Sequence, residues 1–454
     1  MTGILVSVRG AMGPGGDTVQ HSFSIESLDN TLPPAVDRVL PDAPGNPVYR
    51  ALAQMQGNPA VDTNVVVNAG TALMASLNSH ENAKDAIKLT LGAPAGDALR
   101  HARIDIPPIL GEPHNLPWEV LFTAESFVDV QSGVPILRGI NPNARAIRPP
   151  DKLTGGVLKI VSVLAADGID GIDEYKALRS ALNGYARPFR LRVFSPDLSV
   201  QEAVTAESNS SIEFKPVPGT TDALMQDIAG FAPQLCHFLC HGLAPDKGAP
   251  SLEIANILTL SGGASLSMMP GQLEAVLPSS AWLVMLNACR SGEVGGPSGA
   301  LAARLVECGV PVVVGMREPT EARTLHSFTR GFLSSALQEI DAALMGGVDV
   351  PLHLCRSMTS GRLAICQAQA GAGAATNTAR RIKDWSLPVM FVSADPFVLR
   401  PTHKTEPGEL AKLLANRKTL ADFLEASRAS LTPPKVARIE QQIALLDQQI
   451  QVSI

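Results

Sequence analysis

Residues 157–320 predict an α/β fold with a mostly parallel sheet flanked by helices. Runs of strand length, rich in apolar residues, occur at 157–164, 189–195, 235–240, 282–288 and 310–316. Helical patterns at 172–185, 221–231 and 299–308 separate them, and Gly309 follows the last as a C′ residue. Apolar strands alternating with helices belong to sheets covered on both faces.

The flanking segments read as follows. Residues 1–45 form an N-terminal segment of short strands, Ile4–Val8 and Phe23–Ile25, with an irregular connection from Asn30 to Pro47. Residues 46–150 are mixed: a helix over Thr71–Asn82, a strand over Arg103–Ile106, and a short helix or turn at Leu116–Phe122. The main domain spans 151–400. Its later part holds a long helix over 321–345, a Gly/Ala/Thr-rich loop at 370–379 and a closing strand at 385–392. Residues 401–454 predict a helical hairpin. Leu410, Leu413, Leu420 and Leu424 mark its first helix, and Val436, Ile439, Ile443, Leu446 and Ile450 form a seam on the second, which opens at Thr432-Pro433-Pro434.

Bulk properties narrow the function class. The chain has 454 residues, enough for two or three domains of about 100–200 each. A net charge of −6 and 4% aromatic residues argue against a nucleic-acid partner or an anionic membrane surface. No run approaches the ~18 apolar residues of a membrane span. Met1–Gly15 lacks a basic region followed by an apolar stretch, so no signal peptide is expected. Six scattered cysteines fit reduced thiols and a cytoplasmic location better than a disulfide framework.

The chemistry concentrates at two strand ends, Leu239-Cys240-His241-Gly242 and Leu286-Asn287-Ala288-Cys289-Arg290-Ser291-Gly292. In open parallel sheets, sites form beyond the carboxyl ends of the strands. A thiolate attacks carbonyl carbon, and free cysteine, with a pKa of about 8.5, needs a base nearby at neutral pH. His241 is the expected general base and acid, and Cys289 the nucleophile. The backbone N–H groups of Gly242 and Cys289 are the expected oxyanion donors. His237 lies deeper in its strand and reads as a core residue. Cys236, His237, Cys240 and His241 do not form a metal site, because strand alternation divides them between two faces. Gly13–Gly16 lacks the Gly-Lys-Ser/Thr of a phosphate loop. Gly292–Gly296 reads as a mobile loop after the nucleophile.

At these residues the chain resembles the CHAT family, caspase-like proteins of clan CD related to separase. His241 and Cys289 are 48 residues apart, close to the caspase spacing of about 50. Leu116-Pro117-Trp118-Glu119-Val120-Leu121 is similar to the family's L-P-W-E-L-L segment. The strand ending His241-Gly242 resembles its H-G motif, with Cys240 in place of the usual first glycine. Leu286–Gly292 resembles L-S-A-C-x-[ST]-G, Val312–Met316 the V-V-G strand, and Trp385–Val389 the closing W-x-x-P-V segment. The resemblance covers roughly 45–395. It implies a caspase–haemoglobinase fold, a His241–Cys289 dyad, no cofactor, a specific protein substrate and, often, control by a sensor or partner.

One departure concerns specificity. Met316-Arg317-Glu318-Pro319 stands where the family often has a tryptophan. Arg317 and Glu318 are therefore the candidate substrate-binding residues. An acidic wall from Glu318 would favour a basic residue before the cut (P1), and the alternative role for Glu318 is to cap the following helix. The sequence thus predicts a cytoplasmic cysteine endopeptidase that cuts a partner protein, in a bacterial regulatory or anti-phage pathway by analogy. A catalytically silent adaptor that assembles a complex is the alternative, and another cysteine-dependent acyl transferase or hydrolase a third. The C-terminal hairpin either packs on the body or docks a regulatory or sensor protein.

Overall fold

The computed structural model describes residues 3–12, 18–27, 38–40, 54–55, 63–78, 101–105, 116–143 except 124, 146, 156–243, 250–292, 300–345, 350–370, 375–394, 397–399 and 407–453. The N-terminal strands are β1 (Gly3–Met12), β2 (Thr18–Ser27) and β3 (Arg38–Leu40). Helix α1 (Thr63–Asn78), β4 (His101–Asp105) and β5 (Ile136–Ile140) follow. Next come β6 (Leu158–Leu164), α2 (Ile172–Asn183), β7 (Phe189–Phe194), α3 (Leu198–Glu207), β8 (Ile212–Lys215), α4 (Thr221–Phe231) and β9 (Leu235–Leu239). A small antiparallel sheet then forms from β10 (His241–Leu243), β11 (Ser251–Ile254) and β12 (Leu266–Met268). The chain continues with α5 (Pro270–Val276), β13 (Leu283–Asn287), α6 (Leu301–Glu307), β14 (Val312–Met316) and α7 (Ala322–Met345). It closes with β15 (Val350–Leu352), α8 (Cys355–Ala370), β16 (Pro388–Ser393), β17 (Phe397–Leu399), α9 (Pro407–Ser427) and α10 (Pro433–Ser453).

The main sheet has twelve strands in the order β3-β2-β1-β4-β5-β16-β14-β13-β9-β6-β7-β8. Neighbours pair in parallel except at β14–β16 and along the β1–β2–β3 edge. The expected mostly parallel sheet is therefore present, and β1–β3 extend it rather than standing apart.

Strand alternation sorts the core into two layers. On one face, Leu235 and Leu239 of β9, Leu283 and Met285 of β13, and Val312 and Val314 of β14 pack with α1, α2, α7 and α8. On the other, Cys236, Phe238, Val284, Leu286 and Val313 pack with α4, α5 and α6. Burying an aliphatic side chain of this kind contributes roughly 1.5–3 kcal/mol, so both faces fix the register on which the site depends.

Some element bounds differ from the sequence expectation: helix α1 starts at Thr63, eight residues before the expected Thr71. Helix α8 begins at Cys355, in a stretch with little apolar periodicity, and runs to Ala370; a one-turn helix, Ala375–Thr378, falls inside the expected loop. The closing segment becomes a strand only at Pro388, after a 3-10 turn at Asp384–Ser386. Helix α6 ends as expected, with Gly309 at φ +118°, a conformation suited to glycine.

The C-terminal hairpin forms as α9 and α10. Leu410, Leu414 and Ile450 are buried and pack with Ala186. Arg417 donates to the Ala186 carbonyl at 3.1 Å, and Asn183 donates to Glu425 at 2.8 Å. The hairpin is thus docked on the body near α2, and Phe423 and Leu445 remain half exposed on it.

Candidate active site

Strands β9 and β13 are parallel neighbours, with Leu239 opposite Asn287. His241 and Cys289 each lie two residues beyond that pair. The shared register therefore brings the two chain segments off the sheet side by side, and both residues are partly exposed. A Cβ built on Gly242 would lie 1.9 Å from the Cys289 carbonyl oxygen. The backbones of the two motifs are thus in direct contact, and only glycine fits at 242. Gly242→Ala should displace the Cys289 backbone and, by overpacking, cost about 1–3 kcal/mol of stability, read from the urea unfolding midpoint.

His241 Nε2 lies 2.7 Å from the Asp167 carbonyl oxygen, in the turn after β6. A carbonyl can only accept, so Nε2 carries the hydrogen and Nδ1 is left to take a proton. The neighbouring thiols do not compete with Cys289. Cys236 and Cys240 are buried, and burial pushes both thiols well above their usual range.

The rest of the cysteine motif is architectural. Arg290 adopts a left-handed conformation at φ +59°, turning the chain directly after Cys289. The buried Ser291 hydroxyl donates to the Leu286 carbonyl at 3.0 Å and accepts from the Met316 N–H at 3.0 Å. Gly292 N–H donates to the Met316 carbonyl at 2.9 Å, and a Cβ there would meet Val389 at 2.4 Å. Ser291 and Gly292 therefore clamp the turn after Cys289 onto β14. The glycine-rich stretch from 293 to 299 lies outside the described residues, as does Gly13–Gly16.

A buried polar network lies beneath the site. Glu174, on the first turn of α2, is fully buried. One carboxylate oxygen accepts from His237 at 2.8 Å, from Asn287 at 2.7 Å and from Thr329 at 2.6 Å. The other accepts from His326 Nδ1. Asn287 also donates to Thr329 at 2.7 Å, and the Ser162 hydroxyl is hydrogen-bonded to His237 Nδ1 at 2.9 Å. Burial works against the Glu174 charge, but the hydrogen bonds from His237 and His326 outweigh it and hold the carboxyl well below its ordinary value. His237 is a core residue as expected, but a hydrogen-bonded one. The network was missed in the sequence, although an Asn at the end of an otherwise apolar strand is a visible signal.

Arg317 and Glu318 lie at the end of β14, beside the clamp. Glu119 of the Leu116–Leu121 segment is fully buried and accepts two hydrogen bonds from Arg138, at 3.0 and 2.9 Å. Burial opposes its charge, yet Arg138 and Arg317 prevail and keep its carboxyl low. Arg317 Nη1 is 3.7 Å from Glu119. Glu318 accepts from Lys383 Nζ at 2.6 Å, so its charge is already matched. The same cluster includes Arg362, which pairs with Asp129 and donates to the Pro388 carbonyl at 2.8 Å.

Residues 51–390 match the CHAT domain. The chain belongs to the CHAT domain family. The matched span of this CHAT protein contains Glu119, His241, Cys289 and Arg317 together. A chain of the Saccharomyces cerevisiae separase–securin complex is similar in structure, at 10% identity and a TM-score of 0.34. The likeness covers 79% of this CHAT chain and 21% of that one, so the chain spans about a fifth of its length. No curated protein matches the chain. Among the described residues, no helix is long and apolar enough to cross a membrane.

Proposed function

We propose that this CHAT protein is a cytoplasmic cysteine endopeptidase. One observation supports the reading most: His241 and Cys289 leave adjacent parallel strands in register, with Gly242 against the Cys289 carbonyl. In the proposed reaction, His241 Nδ1 takes the thiol proton as Cys289 Sγ attacks the peptide carbonyl carbon. The N–H groups of Gly242 and Cys289 stabilise the oxyanion. His241 returns the proton to the leaving amine, and water then hydrolyses the thioester. Arg317 and Glu318 line the approach to the scissile residue. A specific partner protein as substrate, in a regulatory or anti-phage pathway, follows from the motif resemblance alone.

The test is covalent. A set of peptidyl acyloxymethyl ketones, differing at P1, should alkylate Cys289 and no other cysteine, with release of the carboxylate leaving group. Peptide mapping by mass spectrometry reads the site. Labelling spread over the cysteines according to exposure alone would contradict the proposal.

The half-exposed Phe423 and Leu445 favour a second role for the hairpin, docking of a regulatory or sensor protein. Phe423→Asp with Leu445→Asp should weaken co-purification of that partner and leave peptide turnover within about threefold, since surface changes are usually small in effect. Equal loss of turnover would assign the hairpin to the catalytic body instead.

A further inference from the structure

Arg317 is a buried cation whose donors are unused. Its side chain is only 5% exposed, yet none of its three nitrogens has a hydrogen-bond partner among the described residues. Arg138 and Arg362, in the same cluster, both have them. The nearest carboxylate, Glu119, is 3.7 Å away and already takes two bonds from Arg138. Glu318 is 4.0 Å away and is paired with Lys383. Arg138, Arg317, Arg362 and Lys383 face Glu119, Asp129 and Glu318, so the cluster carries one surplus positive charge. A guanidinium presents five donors in a fork that matches a carboxylate, and buried donors are rarely left unused.

Its position links it to the site. Arg317 directly follows Met316, whose carbonyl holds Gly292, three residues after Cys289. Its own N–H donates to the Leu387 carbonyl at 3.0 Å, which fixes the backbone from which the side chain departs.

The geometry points to Arg317 as the specificity determinant for an acidic P1 residue, aspartate or glutamate, whose carboxylate takes the free guanidinium donors. This inference rests on the endopeptidase reading. It reverses the P1 expectation drawn from Glu318, because Lys383 already neutralises that carboxylate.

The experiment measures labelling rates of Cys289 with acyloxymethyl ketones carrying Asp, Glu, Leu, Lys or Arg at P1. The acidic probes should react about 100-fold faster than the basic ones, as expected for a site built to bond a polar group. In Arg317→Gln, the ratio of acidic-probe to Leu-probe rates should fall by about 100-fold, and Arg317→Lys should restore part of it. A purely structural role would lower all rates together and leave the ratio unchanged, overturning the inference. Faster labelling by Lys or Arg probes in the wild type would also overturn it while leaving the endopeptidase intact, and this arm decides the matter if Arg317→Gln fails to fold. A folded protein that takes no probe at any P1 loses the endopeptidase reading, and this one with it.

Discussion

On the proposed chemistry, Cys289→Ala and His241→Ala should each lower kcat/KM on a cleavable peptide by at least about 1,000-fold, because the proposed nucleophile and base would act as one unit. The double variant should be little worse than either single one, since the second change removes a partner that no longer has a function. Stability should hardly move. Both residues are partly exposed, and neither belongs to the two core layers. An unfolding midpoint in urea equivalent to a change within about 1 kcal/mol is expected for Cys289→Ala. The His241→Ala chain also loses the bond to the Asp167 carbonyl, worth about 1 kcal/mol net. Substantial turnover in Cys289→Ala would exclude the proposed chemistry. If wild type and Cys289→Ala instead bind the same partner equally and neither cleaves it, the adaptor reading takes over.

The placement of His241 and Cys289 at neighbouring strand ends was legible in the sequence because its signals are local. Each residue ends an apolar run, Gly242 follows His241, Ser291-Gly292 close the turn after Cys289, and strand parity puts both on the face of Leu239 and Met285. The alternating strands and helices of 157–320 were legible for the same reason. Contacts between distant segments were not. Glu174 reads in isolation as an ordinary acid in a first helical turn, and its bond to Asn287 joins residues 113 apart in the chain. Glu119 stood out only as part of a motif, and its use became visible once Arg138 and Arg317 were placed beside it. Helix α8 escaped notice because Thr359 and Gly361 are weak helix formers. Gly361 is there for packing: a Cβ would come within 2.6 Å of Phe328, and Gly331 opposite it is equally tight against Ala364. Close approach of α7 and α8 is what the low-propensity residues secure. The β10–β12 sheet was missed because its strands are only three or four residues long, too short for a period-2 pattern to register.

Glu174→Ala should be the most damaging substitution outside His241 and Cys289. It leaves donors on His237, Asn287, Thr329 and His326 without their common acceptor. Breaking a buried charged network by removing one partner costs about 3–5 kcal/mol, enough to threaten a fold whose total stability is typically about 5–15 kcal/mol. Activity should fall as well, because Asn287 is two residues before Cys289 and His237 four before His241. Glu174→Gln keeps one acceptor oxygen and should be milder. The wild-type pH dependence follows from the same site. The folded-state pKa of Glu174 is depressed below its ordinary value of 4.5, so the unfolded chain binds the proton more readily. The stabilisation is complete well above that value and is lost as pH falls through it towards the folded pKa. Glu119, also depressed, adds to the loss with the same sign. Urea midpoints measured from pH 7 down to pH 3 should therefore drop steeply below about pH 4.5 in the wild type and less steeply in Glu174→Ala. Parallel curves for the two chains would show that Glu174 is not held as an ionised carboxylate, and the network would then have to share its protons differently between Glu174, His237 and His326.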